Sequence, residues 1–271
     1  MVKLGILIAH YKEPSWQVKR LLDSINEQEG FNFNNLVVRI TNDGNDVIIN
    51  DIDFTEYKFN IIYNIHERVG HSKIRNVQID TAQEDYIWFV DSDDYILPGS
   101  LEMIWRHISE NSLDLLLCPV RWELKNGRCY TYAPGFTGYA VLGCNIIRRD
   151  LLISKNLRSQ ECVNSGGDVF LERMPMYYTS RRKILDFECL HYSYNPKSVT
   201  NMQKINGWRK DAEQVMIKII ERLLSDNMIY EAYQNYIQYV FSYNSRIIHD
   251  EFCAKFKEIG LYDINYELDL R

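Results

Sequence analysis

The chain has 271 residues, of which 46% are hydrophobic and 25% charged, and its formal net charge is −6. This balance is typical of a globular protein and excludes a disordered chain, a collagen-like fibre and a small disulfide scaffold. The acidic charge argues against general nucleic-acid binding, which requires clustered positive charge. No apolar run approaches the roughly 20 residues of a transmembrane segment, and the apolar start is too short for a signal peptide. The six cysteines show no CxxC pair or zinc-type spacing, so we expect reduced thiols in a cytoplasmic protein.

Strand-like and helix-like patterns alternate along most of the chain. Apolar runs predict strands over 4–9, 36–40, 59–63, 86–90 and 113–120. Helical spacing of apolar residues predicts helices over 18–25, 72–82, 98–109, 168–174, 208–224 and 229–248. Turn residues occupy 41–46, and we expect a hairpin over 121–143 with turns at 126–127 and 134–135. This order predicts an α/β fold with a mainly parallel sheet flanked by helices.

The pattern changes after residue 205, which separates an α/β domain over 1–205 from a helical tail over 206–271. The apolar spacing of the tail favours packing against the sheet. An oligomer contact or a membrane-surface contact is the alternative, although the mixed charge of the tail is not that of a basic membrane anchor.

The acidic segment Asp91-Ser92-Asp93-Asp94 directly follows a predicted buried strand. Carboxylates this close repel one another unless a cation or solvent lies among them. Their hard oxygens suit Mg²⁺ or Mn²⁺, which usually bridge protein carboxylates to substrate phosphates. A solvated acidic turn before the next helix explains the pattern equally well. Because ligands bind outside the carboxyl ends of strands in such sheets, the polar segments after residues 9, 40 and 90 predict one shared site.

Basic residues cluster between His66 and Asn76, and Gly70 opens the predicted helix there. Peptide N–H groups at a helix N-terminus attract phosphate. Together with the acidic segment, this cluster predicts a metal–diphosphate site, although for any single residue a solvated basic face is the simpler explanation.

Two further residues are candidates for chemistry. Asp168 follows Gly166 and Gly167 at the start of a predicted helix, where it would act as a helix cap or as a general base for a hydroxyl. His191 is either a metal ligand or an ordinary core or surface histidine.

In chain order, these segments resemble one family, the inverting family-two glycosyltransferases with the GT-A fold. The similarity spans about residues 3 to 201 and rests on an ordered set of motifs, each weakly specific alone. The matching motifs are His10-Tyr11, Asn42-Asp43-Gly44-Asn45, Gly70 to Asn76, Tyr86 to Asp94, Gly167-Asp168, Tyr192-Ser193 and Ser198-Val199-Thr200.

The resemblance implies a metal-dependent, inverting transfer of a sugar from a nucleotide-diphosphate sugar, with a UDP-sugar favoured, to an acceptor hydroxyl. It implies a nucleotide-sugar-binding half over 1–97 and an acceptor half over 98–205. The implied donor-binding residues are Ala9, Tyr11, Glu13, Asn42, Asp43, Gly70, Lys73, Arg75, Asp91 and Ser92. Mn²⁺ or Mg²⁺ would be held by Asp93, Asp91 and His191, and Asp168 would be the catalytic base.

Three positions depart from the family's pattern. Asn42 stands where the family often has Asp, and Gly167 replaces the Glu of a Glu-Asp pair. Ser193 replaces a frequent Arg near the diphosphate, and Lys197, Lys204 or Arg209 is the candidate to replace that charge.

Two other functions stay open at this point. One is a phosphohydrolase or nucleotidyltransferase that uses the same acidic segment, and the other is a non-catalytic nucleotide-sugar-binding protein. The sequence does not specify the sugar, and the acceptor is a glycan, a lipid-linked acceptor or a polymer. We expect a cytoplasmic location, with peripheral contact at the inner membrane face as an alternative, and an oligomer contact, if present, through the helical tail.

Overall fold

The computed structural model of the protein describes residues 2–44, 49–134, 142–161, 166–196, 198, 208–243 and 245–261. The strands are β1 (Leu4–His10), β2 (Leu36–Asp43), β3 (Asn60–His66), β4 (Tyr86–Phe89), β5 (Tyr95–Ile96), β6 (Leu115–Leu117), β7 (Val120–Glu123), β8 (Cys129–Tyr132), β9 (Asn145–Arg148), β10 (Arg182–Ile184) and β11 (Leu190–Tyr192). The α-helices are α1 (Ser15–Asn26), α2 (His71–Thr81), α3 (Ser100–Glu110), α4 (Arg149–Ser154), α5 (Gly167–Tyr178), α6 (Trp208–Ser225), α7 (Ile229–Tyr243) and α8 (Arg246–Glu258).

A seven-stranded sheet in the order β10-β6-β9-β4-β1-β2-β3 forms the centre of the fold. Strands β4, β1, β2 and β3 are parallel neighbours, and β10 runs parallel to β6. Strand β9 is antiparallel to both β4 and β6, so these two strands point the same way. The carboxyl ends of β1, β2 and β4 therefore lie side by side at one edge, where open α/β sheets bind their ligands.

A smaller sheet in the order β5-β11-β7-β8 brings a distant part of the chain to this edge. Strand β5 follows the acidic segment, and its Tyr95 pairs with His191 of β11. The residues after β11 consequently reach the acidic segment, although about a hundred positions separate them in sequence.

Side chains alternate between the two faces of the sheet, because successive residues of a strand point in opposite directions. Ile6 and Ile8 pack with α1 and α3 on one face, whereas Leu7 packs with α2, α5 and α6–α8 on the other. The helices of the tail thus share a core with the sheet, as their apolar spacing predicts. The predicted division after residue 205 lies outside the described residues and stays a prediction.

The predicted turn over 41–46 is partly wrong, because β2 continues through Asp43 and pairs with β3 as far as His66. Residues 45–48 of that segment lie outside the description. The single strand predicted over 113–120 is also wrong. It divides into β6 and β7, which belong to different sheets, and Pro119 lies between them and has no N–H for a sheet hydrogen bond.

The single helix predicted over 229–248 divides into α7 and α8. Ser245 starts α8, because its side chain accepts a hydrogen bond from the Ile248 N–H at 3.3 Å. The predicted hairpin turn at 126–127 is confirmed between β7 and β8. None of the helices in the described ranges is long and apolar enough to span a bilayer.

Replacing Ile219 tests whether the tail contributes to the core. Ile219 of α6 is fully buried among residues of the sheet face, so we expect Ile219→Ala to reduce the free energy of unfolding by about 2–5 kcal/mol in urea titrations. Ile247→Ala is the control, because Ile247 is 56% exposed and should change stability by less than about 0.5 kcal/mol. Equal, small effects would contradict the shared core.

Candidate active site

A buried arginine joins three elements at the carboxyl edge of the sheet. Arg75 lies in the second turn of α2 and is only 5% exposed. Its guanidinium donates to Asp91 Oδ1 at 2.7 Å, just after β4, and to Asp168 Oδ2 at 2.9 Å, in the first turn of α5. Burial acts to lower the pKa of Arg75, but the two carboxylates raise it, so the guanidinium stays charged.

Asp168 is an ionised carboxylate that remains accessible. Burial acts to raise its pKa, but Arg75 and His71 outweigh burial and hold the pKa below its usual value. The side chain is 28% exposed. A substrate group can therefore reach a carboxylate that is already deprotonated at neutral pH.

Gly167 shows why this chain departs from the Glu-Asp pattern. A Cβ at this position would lie 2.3 Å from the Gln160 carbonyl oxygen and 2.3 Å from Ser72 Oγ. No side chain fits there, so the glycine allows the start of α5 to approach α2. Asp168 is therefore the carboxylate of the Gly167-Asp168 pair. Asn164, which precedes it in the sequence, lies outside the described residues.

The end of β2 fixes the loop that leads into α2. Asp43 accepts hydrogen bonds from the backbone N–H groups of Val69 at 2.7 Å and Gly70 at 2.9 Å, one on each carboxylate oxygen. Gly70 has a φ of +92°, a conformation that favours glycine. Each oxygen of Asp43 keeps further acceptor capacity for a ligand.

Asn42, predicted to bind the donor, lies inside the framework, and its role in donor binding stays a prediction. It is 0% exposed, and its Oδ1 is 2.8 Å from His10 Nδ1. The other ring nitrogen of His10 is 2.8 Å from the Glu13 carbonyl oxygen. The amide therefore supports the loop after β1.

The loop after β1 presents an aromatic ring next to two cations. The Tyr11 ring centroid lies 4.2 Å from the Arg68 guanidinium and 4.9 Å from Lys12 Nζ. Glu13 fixes the backbone here by accepting a hydrogen bond from the Tyr11 N–H at 2.8 Å. This arrangement offers a ring face and positive charge to a nucleotide.

Hydrogen bonds from the residues that follow β11 of the smaller sheet hold the acidic segment in place. Asp93 Oδ2 accepts from the Asn195 side-chain amide at 2.8 Å, and Asp94 Oδ1 accepts from the Ser193 N–H at 2.9 Å. Burial and the neighbouring Asp91 raise the pKa of Asp93 to about 6. Burial, followed by Asp93 and Asp91, raises the pKa of Asp94 well above its usual value.

The donor set fits a divalent cation that is shared with a substrate. Within the described ranges, no three His, Cys, Asp or Glu side chains form a complete metal site. Ions that bind nucleotide phosphates need only one or two protein carboxylates. A cation would also relieve the unfavourable ionisation of Asp93 beside Asp91. These two residues are therefore the candidate ligands.

His191 lies in β11 of the smaller sheet. Its ring stacks on Tyr95 with centroids 4.4 Å apart, and its Nε2 is 3.5 Å from Glu123 Oε2. Among the described residues, no hydrogen bond or ion pair joins it to Asp91 or Asp93. Its role as a metal ligand stays a prediction.

The remaining predicted residues occupy less central positions. Ala9 pairs with Thr41 between β1 and β2, and Ser92 is buried within the acidic segment. Lys73 is exposed on α2, beside the buried Arg75. The roles of all three in donor binding stay predictions.

The sequence placed His71 in the basic cluster but gave it no role of its own in the site. It is the first residue of α2, one helical turn before Arg75, and burial and Arg75 lower its pKa, while Asp168, Asp91 and Asp43 act to raise it. The i, i+4 spacing to Arg75 was the available signal. Arg20, which contacts the acidic segment from α1, has no such signal, because the contact joins distant parts of the chain.

The profile of Glycosyl transferase family 2 matches residues 6–176, which contain every candidate residue above except those after α5. The chain belongs to this family. It is 24% identical over 176 residues to Glycosyltransferase GlyA of Streptococcus pneumoniae, covering 64% of this chain and 25% of GlyA. It is 30% identical over 128 residues to Putative glycosyltransferase EpsH of Bacillus subtilis, covering 45% of this chain and 35% of EpsH. The chain thus matches only a minor part of the length of these relatives.

Solved structures of other glycosyltransferases share the fold of this family member. The structure of S. aureus TarS 1-349 in complex with UDP-GlcNAc has a TM-score of 0.67 at 22% identity, covering 92% of this chain and 78% of that one. Mannosyltransferase PcManGT from Pyrobaculum calidifontis, in complex with GDP-Man and Mn²⁺, has a TM-score of 0.57 at 12% identity, covering 96% and 81%. The fold is that of the GT-A glycosyltransferases, in agreement with the membership of the chain in Glycosyl transferase family 2.

Replacing Arg75, which bridges Asp91 and Asp168, tests how much this ion bridge contributes to stability. We expect Arg75→Met to lower the free energy of unfolding at pH 7 by about 3 kcal/mol, because it removes the guanidinium that Asp91 and Asp168 share. The deficit should shrink toward pH 5, as the unpaired carboxyl takes up a proton. Adding Asp168→Asn should recover part of the loss in urea titrations, and equal losses in the single and double variants would contradict the bridge.

Neutralising Asp93 should stabilise the protein when no ligand is bound. Because the folded pKa is raised to about 6, the ionised carboxylate opposes folding above that pH. Asp93→Asn should therefore increase the free energy of unfolding at pH 8 by up to about 3 kcal/mol, and by little near pH 4. Asp250→Asn is the control, because Asp250 is exposed and should show no such pH dependence.

Proposed function

We propose that the protein transfers a sugar from a UDP-sugar to an acceptor hydroxyl with inversion at the anomeric carbon, and that Asp168 is the base. The observation that carries this proposal is the bridge from Arg75 to both Asp91 and Asp168. It holds a candidate base and the candidate diphosphate end of the site in one rigid arrangement at the ligand-binding edge of the sheet.

The nucleoside end of the donor would lie over β1 and β2. Tyr11 supplies a ring face, Asp43 supplies acceptors for a base N–H group, and Arg68 adds positive charge. A uracil ring presents both an N–H donor and carbonyl acceptors, so it suits this set. The TarS complexes with UDP and UDP-GlcNAc support the same donor class.

Asp93, with Asp91, would hold Mn²⁺ or Mg²⁺ at the diphosphate end. When bound, the ion supplies positive charge that stabilises the departing diphosphate. The raised pKa of Asp93 supports this assignment, as does the Mn²⁺ in the related mannosyltransferase fold. Because the carboxylate is the ligand form, donor binding should weaken as the pH falls below about 6.

The reaction would be a single displacement. The acceptor oxygen forms a bond to the anomeric carbon while the bond from that carbon to the diphosphate oxygen breaks, and its electron pair leaves with UDP. The acceptor proton passes to Asp168. Arg75 keeps Asp168 ionised before the step and fixes its direction.

The acceptor would be a glycan, a lipid-linked acceptor or a cell-surface polymer. Relatives at 25% identity include a teichoic acid poly(glycerol phosphate) polymerase of Staphylococcus epidermidis, which supports a polymer. A cytoplasmic protein, in peripheral contact with the inner face of the membrane, would meet both UDP-sugar and such an acceptor.

Separating donor binding from transfer tests the proposed roles. In calorimetric titrations with a panel of UDP-sugars and Mn²⁺, wild type should bind one donor, and Asp93→Ala should lose that binding. Asp168→Asn should keep donor affinity but lower the transfer rate about 10²- to 10⁴-fold.

Glu161→Gln is the matched control, because it makes the same carboxyl-to-amide change on the exposed neighbour of Asn76. It should leave the transfer rate unchanged. An unchanged rate in Asp168→Asn would show that Asp168 is not the base, and a wild type that binds no UDP-sugar would contradict the donor class.

A further inference from the structure

An arginine of α1, which belongs to none of the sequence motifs above, contacts the acidic segment. Arg20 lies on α1, and its Nη2 donates to the backbone carbonyl of Asp93 and, at 3.1 Å, to Ser193 Oγ. These contacts join parts of the chain that are 73 and 173 residues apart. They meet at the turn whose side chains face the candidate metal and diphosphate.

Aromatic side chains hold the Arg20 guanidinium in place. It lies 5.6 Å from the ring centroid of Trp16 and 5.1 Å from that of Tyr95. Its Nε is buried and has no hydrogen-bond partner within the part of the chain that the structure describes. A buried donor without a partner is costly. The hydrogen bonds of Nη2 and the contacts with the two rings must therefore offset this cost and hold the guanidinium in its position.

Ser193 links this arginine to the next carboxylate. Its Oγ accepts from Arg20, and its N–H donates to Asp94 Oδ1 at 2.9 Å. Ser193 is the position where related enzymes often carry an arginine, and here a serine at that position contacts an arginine from α1. The positive charge beside the acidic segment therefore comes from α1 and not from the segment after β11.

We infer that Arg20 is a positioning residue for Asp93. It binds the backbone of the acidic segment and thereby directs the Asp93 carboxylate toward the donor. The side-chain amide of Asn195 holds the same carboxylate at Oδ2. Its charge also opposes the mutual repulsion of Asp91, Asp93 and Asp94. This inference rests on the proposed function, because Asp93 is there the residue that supports donor binding.

The surroundings of Arg20 allow a chemical test. A cavity of about 390 Å³ is lined by Arg20, Trp16, Tyr95 and Lys19, among others. Truncation of Arg20 would enlarge this space, so a free guanidinium ion could enter and occupy the place of the missing group.

The measurement is UDP-sugar affinity by calorimetry in the presence of Mn²⁺, with thermal unfolding recorded for each variant. Arg20→Ala should weaken the affinity about 10- to 100-fold, the usual cost of losing a group that orients a ligating side chain. Millimolar guanidinium should restore part of the affinity in Arg20→Ala and none in Asp93→Ala. Ser193→Ala, which keeps the arginine but removes its anchor, should show a smaller loss.

Lys19→Ala is the matched control, because Lys19 is an exposed cation on the same helix that pairs with Asp23, and its affinity should equal that of wild type. Wild-type affinity in Arg20→Ala, or a loss that guanidinium does not restore in a folded variant, would overturn the role of Arg20. If Arg20→Ala does not fold, wild-type affinity in both Arg20→Lys and Ser193→Ala would overturn it. A wild type that binds no UDP-sugar would instead contradict the proposed function.

Discussion

The ion bridge centred on Arg75 is the interaction on which the site depends. A buried guanidinium requires carboxylate partners, and the carboxylates Asp91 and Asp168 satisfy this requirement from β4 and α5. The bridge fixes the distance between elements that lie on different parts of the sheet edge. It also sets the protonation of Asp168, because without a cation the burial of that carboxylate would favour its neutral form.

Charge balance explains the rest of the local architecture. The segment from Asp91 to Asp94 concentrates negative charge in a partly buried turn. Burial and the neighbouring carboxylates consequently raise the pKa values of Asp93 and Asp94. Arg75 compensates on one side and Arg20 contacts the turn on the other.

Sequence patterns predicted the features that depend on local order. The parallel strands, the helix that carries Arg75 and the acidic segment after β4 each have a period or a motif within a few residues. Features that depend on distant pairing were not predictable in this way. Strand β9 reverses direction between β4 and β6, Asn42 turns inward to His10, and Arg20 reaches Ser193 across the fold. No local pattern encodes these contacts, because each is decided by which segments become neighbours after the sheet has formed.

The shared core of α5 has a consequence for how this enzyme can change. Asp168 lies in the first turn of this helix, and Phe170, Leu171 and Met174 farther along it pack in the same cluster as Val215 and Ile219 of α6. A substitution that repacks the tail therefore shifts the axis that carries the candidate base. A more heat-resistant form obtained by refilling that core would therefore have to preserve the direction of the Asp168 carboxylate, which lies within two helical turns of it.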